Sequence, residues 1–158
     1  MKKPTIIIGG MGPQASVELH KLIVNKASLQ TTGKDKFPDI MHASVSVTDF
    51  IADEREVDAA VAKIKQTCAI LPIQSAAAVG LACNTAHLLI DKIEALQTNN
   101  FVSMIDAVCE TIESLNHKRV GLLASPFTIK SKLYENPLRG RGIDVITPED
   151  SVLLELVS

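Results

Sequence analysis

The sequence contains few aromatic residues and no excess of either charge. It has no Trp, one Tyr and four Phe among 158 residues, and its formal net charge is −2. Proteins that bind nucleic acid usually carry a basic face, and those that bind single strands add aromatic platforms on which the bases stack. Because this sequence has neither feature, we expect no nucleic-acid partner.

Cysteine is also scarce: Cys68, Cys83 and Cys109 are odd in number and widely spaced. No Cys-x-x-Cys pair occurs, and the histidines do not have the spacing of a metal site. No apolar run approaches the ~18 residues of a membrane span. The apolar run in the N-terminal "MKKPTIIIGG" is too short for a signal peptide. These absences predict a cytoplasmic protein with no metal and no membrane partner.

Strand-like and helix-like segments alternate along the chain, which predicts an α/β fold, a parallel sheet flanked by helices. In the first helix the predicted apolar stripe includes Val17, Leu19, Leu22 and Ile23. After "NHK" the pattern starts again, so we divide the chain into a first lobe, 1–116, and an incomplete second lobe, 117–158. The predicted strands are 5–10, 40–47, 76–82, 101–105, 119–125 and 143–148, and the predicted helices are 13–28, 54–71, 86–97, 106–115, 128–138 and 149–158.

A glycine-rich turn, "GGMGPQA", follows the first predicted strand. Gly10, Gly12 and Ala15 formally match the Gly-x-Gly-x-x-Ala fingerprint of dinucleotide sites. However, the acidic residue that should follow would be Asp35, in a polar loop, and Pro13 removes one backbone donor. Three interpretations stay open: a dinucleotide site, a tight turn without a ligand, or a turn that brings its backbone close to a small anionic substrate.

The segment "LACNTAH" places Cys83, Asn84 and Thr85 directly after the predicted strand 76–82. Open α/β sheets bind ligands at the carboxyl ends of their strands. A helix that begins there would lower the pKa of the Cys83 thiol. The alternative is a buried cysteine whose neighbours cap a helix. His87 is either a general base or a capping or core residue, and Cys68 and Cys109 are expected in the core.

Together, "IIIGGMGPQAS", "LACNTAH" and "VGLLASPFTIKSKLYENPL…GIDVITP" resemble the aspartate/glutamate racemase family, whose members need no cofactor. The resemblance implies two similar α/β lobes with the site in the cleft between them, and a homodimer. It also implies a two-base mechanism in which one cysteine thiolate removes the Cα proton and a second cysteine returns a proton to the opposite face. The substrate would be a small amino acid, aspartate or glutamate.

Carried onto this chain, the resemblance makes Cys83 the catalytic acid/base of the first lobe. Its substrate-binding residues are Met11, Asn84 and Thr85 in the first lobe and Ser125 and Thr128 in the second. Some aspartate-specific members have an arginine soon after the second strand, where this chain has Phe50, with Arg55 a turn later.

The resemblance also implies a second cysteine in a Gly-Cys-Thr-Glu motif about 110 residues after the first, and these 158 residues contain no such motif. We therefore expect a shortened racemase with little or no activity. The alternatives are an inactive remnant that binds small carboxylates or oligomerises, and a decarboxylase or isomerase that works with one cysteine.

Overall fold

The computed structural model describes residues 2–30, 37–47, 50 and 54–149. The chain folds into two compact units, Met1–Met104 and Ile105–Ser158. The expected lobe boundary after residue 116 therefore differs from this division by one helix. Asp35 and residues 150–158 of the predicted helix 149–158 lie outside the described residues.

Four parallel strands form the sheet of the first unit, in the order β2-β1-β3-β4. Their bounds are Thr5–Gly9 for β1, Ile40–Ser44 for β2, Ala78–Leu81 for β3 and Phe101–Val102 for β4. β1 lies between two neighbours, and its side chains from Ile6 to Ile8 are buried. A strand that is covered on both faces needs an unbroken apolar run, and "TIIIG" supplies one from β-branched residues.

Helix α1, Pro13–Gln30, packs against β1 through Ser16, its one buried side chain among the described residues. Ser16 is buried, and a Cβ atom added to Gly9 would lie 2.1 Å from the Ser16 Cβ. The predicted apolar stripe is therefore wrong in part, because Val17 and Leu22 are exposed. The helix faces the sheet along a line that starts at Ser16, whose small side chain permits the close approach.

Helix α2, Val57–Ile70, follows a short 3₁₀ turn, Glu54–Glu56, and confirms the predicted helix 54–71. Its buried face packs in the main core with Ile6 and Ile8 of β1 and Val79 and Leu81 of β3. The residues on that face recur at helical spacing and are Ala60, Val61, Ile64 and Cys68.

The predicted helix 86–97 is wrong in type, because the chain forms two 3₁₀ helices there, Thr85–Lys92 and Glu94–Leu96. In an α-helix the His87 amide would donate to the carbonyl of Cys83, four residues back. Here it donates to the Asn84 carbonyl at 3.2 Å, three residues back. The His87 side chain lies 2.8 Å from the Cys83 carbonyl oxygen and takes the place of the amide.

The second unit contains helix α3, Met104–Ser114, apart from its first residue, and the parallel strands β5, Arg119–Gly121, and β6, Asp144–Ile146. Helices α4, Pro126–Lys130, and α5, Glu135–Gly140, connect the strands. The single helix predicted over 128–138 is wrong, because Lys132 adopts a left-handed φ of 53° between the two. The break also places Pro137 in the first turn of α5, where proline costs no helical hydrogen bond.

A small core of its own stabilises the second unit. Ile105 and Cys109 of α3 pack there with Leu138 and Ile143. This packing explains why α3 groups with β5 and β6. Within the described residues, no helix has both the length and the apolar character needed to cross a membrane.

Candidate active site

The strand order of the first unit defines where a ligand can bind. The chain leaves β1 toward β2 on one side and returns to β3 on the other, so the connections diverge between β1 and β3. Open α/β sheets bind ligands at such a switch point, beyond the carboxyl ends of the strands. The two motifs from the sequence lie at this place: the Ala82 amide donates to the Ile8 carbonyl at 2.7 Å, two residues before Gly10 on one strand and one residue before Cys83 on the other.

The Gly10–Gly12 turn has a backbone shape that requires glycine. Gly10 has a φ of +92° and Gly12 a φ of +106°, both in the left-handed region that other residues avoid. At Gly10 space is also limiting, because an added Cβ would lie 2.4 Å from the Val45 amide nitrogen. Met11, between the two glycines, is half-buried and packs against the main core.

The Cys83 thiol is half-buried at the end of β3. Burial raises the pKa of the Cys83 thiol, and hydrogen bonds from the backbone amides of Ala86 and Thr85 lower that pKa by less. The expected net lowering at a helix N-terminus was therefore wrong in sign. The thiol stays protonated over a wider pH range, and the thiolate, once formed, is a stronger base toward a carbon acid.

Asn84 and Thr85 occupy the first turn of the 3₁₀ helix. Asn84 is at the N-cap position, but its side chain makes no capping hydrogen bond. Thr85 is buried, and its amide points toward the Cys83 sulfur. Helix capping by the Asn84 side chain, one part of the alternative interpretation of this motif, therefore does not account for the asparagine.

His87 is buried beneath the same turn and has both ring nitrogens engaged. Its Nδ1 lies 2.8 Å from the Cys83 carbonyl oxygen, and its Nε2 accepts from the Met104 amide at 3.0 Å. The ring also stacks at a tilt on Phe101, with 6.1 Å between the ring centroids. Of the alternatives that the sequence left open, this geometry favours a capping role over a general base.

The two residues expected from the second lobe lie together after β5. Ser125 is the N-cap of α4: its Oγ accepts from the Thr128 amide at 3.3 Å and lies 3.1 Å from the Thr128 Oγ1. Thr128 is buried and Ser125 is exposed. Their role as substrate ligands stays a prediction.

The remaining candidate residues belong to the cores. Cys68 and Cys109 are buried, as expected, and Phe50 is buried in the main core. Among the described residues, no group of three or more His, Cys, Asp or Glu side chains could hold a metal ion.

A protein-family model described as Asp/Glu/hydantoin racemase matches residues 8–157 of this chain. The chain belongs to the Asp/Glu/hydantoin racemase family. This family includes the aspartate and glutamate racemases that the motifs resemble.

One of two relatives supports this racemase assignment, and the other is uncharacterised. The chain is 31% identical over 146 residues to the broad-specificity amino-acid racemase RacX of Bacillus subtilis; the match covers 89% of this chain and 62% of the relative. An uncharacterised protein of Pectobacterium carotovorum is 42% identical over 50 residues, which are 32% of this chain and 33% of that protein. The chain thus spans less than two thirds of the length of these two relatives.

Solved racemase structures have the same fold. An aspartate racemase homologue from Pyrococcus horikoshii has a TM-score of 0.77 at 27% identity and covers 99% of this chain and 68% of its own. The aspartate racemase of Picrophilus torridus has a TM-score of 0.68 at 26% identity, with coverage of 97% and 65%. These matches confirm the α/β fold with a parallel sheet flanked by helices.

Two features of the site were not predicted from the sequence. One is the contact between the Gly10 turn and Val45, which joins the ends of β1 and β2. The other is the dual engagement of His87, for which the sequence offered only the spacing between Cys83 and His87. In an α-helix the carbonyl four residues back accepts from a backbone amide, so nothing in the sequence indicated that the His87 ring would bind it.

Proposed function

We propose that this chain carries the first half of an amino-acid racemase site, with Cys83 as the group that moves the Cα proton of aspartate or glutamate without a cofactor. The observation that supports this most is the position of the Cys83 thiol at the switch point of the sheet, beside a glycine turn of forced conformation. A small substrate can approach the backbone at Gly12, because the space that a side chain would occupy there holds no atom within 4 Å of an added Cβ.

The chemistry requires a strong base and charge stabilisation. A Cα–H next to a carboxylate is a very weak acid, so the charge that develops on Cα must be met by preorganised donors. A buried thiolate is a stronger base than one in water, and the amides of Ala86 and Thr85 hold it in place. The N-terminus of α1, which follows Gly12, adds a positive dipole end for the substrate carboxylate.

In this proposal the substrate carboxylate binds to the first turn after β3 and to the glycine turn. Asn84 and Thr85 supply an amide and a hydroxyl, and Met11 forms a wall. Ser125 and Thr128 are further proposed ligands, through their hydroxyls. Phe50 is buried in the core and carries no charge, so it does not select a second carboxylate. The assay should accordingly include neutral amino acids beside aspartate and glutamate.

A two-base racemisation needs an acid on the opposite face of the substrate. The 158 residues contain no Gly-Cys-Thr-Glu sequence and thus one of the two expected cysteines. A single thiolate can still remove a Cα proton and return one to the same face. We therefore expect this chain to exchange the Cα hydrogen of one enantiomer while leaving its configuration unchanged.

The test incubates the 158-residue chain in heavy water with each enantiomer of aspartate and glutamate and, separately, of neutral amino acids. Mass spectrometry measures deuterium at Cα, and chiral chromatography measures inversion. We expect slow uptake by one enantiomer without inversion, abolished in Cys83→Ala and retained in the matched controls Cys68→Ala and Cys109→Ala.

Three outcomes would contradict the proposal. If deuterium uptake at Cα persists in Cys83→Ala, Cys83 is not the base. If this chain alone inverts the configuration at Cα, the reaction does not need a second cysteine. No uptake, with dicarboxylate binding detected by calorimetry, favours a binding protein that performs no turnover.

A further inference from the structure

The His87 side chain is placed to control the Cys83 turn. The Met104 amide can only donate, so the Nε2 that it contacts at 3.0 Å must accept. The neutral ring therefore carries its proton on Nδ1 and donates it to the Cys83 carbonyl oxygen at 2.8 Å. A doubly protonated ring would have no acceptor for the Met104 amide, so both contacts together define a single neutral tautomer.

This contact holds the residue that bears the thiol. The Cys83 sulfur accepts from the amides of Ala86 and Thr85, while the carbonyl of the same residue accepts from His87. The His87 amide also donates to the Asn84 carbonyl at 3.2 Å. Three contacts therefore hold the turn from Cys83 to His87. Two backbone amides bind the sulfur, the imidazole binds the Cys83 carbonyl, and the His87 amide binds the Asn84 carbonyl.

The far end of the ring is anchored outside the turn. Met104 is the first residue of α3, directly after β4, and β4 pairs with β3. Phe101 of β4 packs against the imidazole, which is buried. His87 therefore connects the end of β3 to the end of the neighbouring strand β4, and the carbonyl of Cys83 cannot move without breaking a buried hydrogen bond.

We propose that His87 is a positioning residue for the reaction, which in its Nδ1–H tautomer holds the Cys83 carbonyl and thereby orients the thiol toward the substrate. This inference rests on the proposed function of Cys83 but not on any role of His87 as a base. The ring exchanges no proton with the substrate, since both nitrogens are engaged with backbone groups.

Two conservative substitutions of His87 test separately the contact of Nδ1 with Cys83 and the contact of Nε2 with Met104. The Nδ2 of His87→Asn lies as many bonds from the backbone as Nδ1 and can donate to the Cys83 carbonyl. The Oε1 of His87→Gln reaches farther and can accept from the Met104 amide while losing the contact to Cys83. If His87 only anchors the start of α3, the glutamine variant should behave at least as well as the asparagine variant.

The primary readout needs no substrate. Alkylation of Cys83 by iodoacetamide is followed by mass spectrometry of the Cys83 peptide across the pH range, in the 158-residue chain. We expect the pH profile of His87→Asn to match the wild type and that of His87→Gln to shift. In the Cα exchange assay, His87→Gln should lose roughly tenfold or more in rate with little change in half-saturating substrate, since misplacement of a reacting group by 1 Å costs on this scale.

The two proposals can fail separately. If Cys83→Ala retains exchange, the proposed function fails whatever the alkylation profiles show. If the asparagine and glutamine variants give the same profile, His87 does not position the thiol. Nitrogen NMR of the wild-type imidazole provides a test that no unfolded variant can obscure: we expect the Nδ1–H tautomer at neutral pH, and an Nε2–H tautomer or a doubly protonated ring would overturn the inference.

Discussion

A methyl group added at Gly9 should destabilise the first unit markedly. The Cβ of Gly9→Ala would lie 2.1 Å from the Ser16 Cβ and 2.6 Å from the Ser16 Oγ. The Oγ could rotate away, but the Cβ is fixed to the backbone of α1, so the helix must move off the strand. Overpacking of this kind costs about 1–3 kcal/mol. Because the clashing atom is a Cβ that cannot rotate away, we expect a cost in the upper half of that range. Alanine also lowers the conformational entropy of the unfolded chain, which stabilises the protein by about 0.4–1 kcal/mol. The free energy of unfolding should therefore fall by about 2 kcal/mol.

Thermal unfolding followed by circular dichroism measures this loss. For a chain of this length we expect the Tm to fall by roughly 4–8 °C. Gly80→Ala is the matched control, because it lies in β3 of the same sheet and its added Cβ would meet no atom within 4 Å. Its Tm should stay close to that of the wild type.

A second substitution identifies the cause. Ser16→Gly removes the obstructing Cβ and should restore part of the stability lost in Gly9→Ala, whereas Ser16→Ala keeps that Cβ and should restore little. Equal unfolding temperatures for Gly9→Ala and Gly80→Ala, or equal rescue by Ser16→Ala and Ser16→Gly, would refute the packing argument.

Three further predictions concern the thiols, a tyrosine and the half-buried amide of Asn100. Because burial raises the pKa of Cys83, its alkylation rate should rise with pH through a midpoint above the ordinary thiol value of about 8.5; a midpoint below that value would contradict the assigned environment. Burial also raises the pKa values of the other two thiols and of Tyr134. The folded state therefore holds these protons after the unfolded state has lost them, so the contribution of these groups to the free energy of unfolding should be constant below about pH 8 and fall between about pH 9 and 11; urea titrations whose midpoints do not change between about pH 8 and 11 would argue against it. Asn100 donates to the carbonyls of Ile73 at 2.7 Å and Ala76 at 3.0 Å, so Asn100→Ala should cost about 1–3 kcal/mol. Its exposed control, Gln97→Ala, should cost less than about 0.5 kcal/mol in the same urea titration.

The strands of the first unit were predictable because their side chains are nearly uniform in chemistry. "TIIIG" forms the central strand at the expected place, and each of the other predicted strands occurs, although most are shorter than the apolar run that indicated them. The residues at the ends of these apolar runs lie outside the strand pairing. The position of Cys83 after β3 followed from the same pattern, since a polar residue that follows an apolar strand lies beyond the carboxyl end of that strand.

The features that escaped prediction depend on side-chain contacts and burial that the apolar pattern does not encode. The burial of Ser16 results from the absence of a side chain at Gly9, so the apolar positions of α1 alone gave the wrong face. The 3₁₀ geometry after Cys83 results from an imidazole that takes the acceptor of a helical amide. The raised pKa of Cys83 likewise depends on how much of the thiol the surrounding fold covers, which the local motif does not encode.

The central position of β1 has a consequence for how the protein is made. Thr5 pairs with Ile40 on one side and with Ala78 on the other, so β1 leaves the ribosome before either neighbour and must wait for both. Pairing over such separations is slow, and an apolar, β-branched segment that waits for it is prone to aggregate. The segment Thr5–Gly9 is therefore where a chaperone acting on the nascent chain would give the most protection.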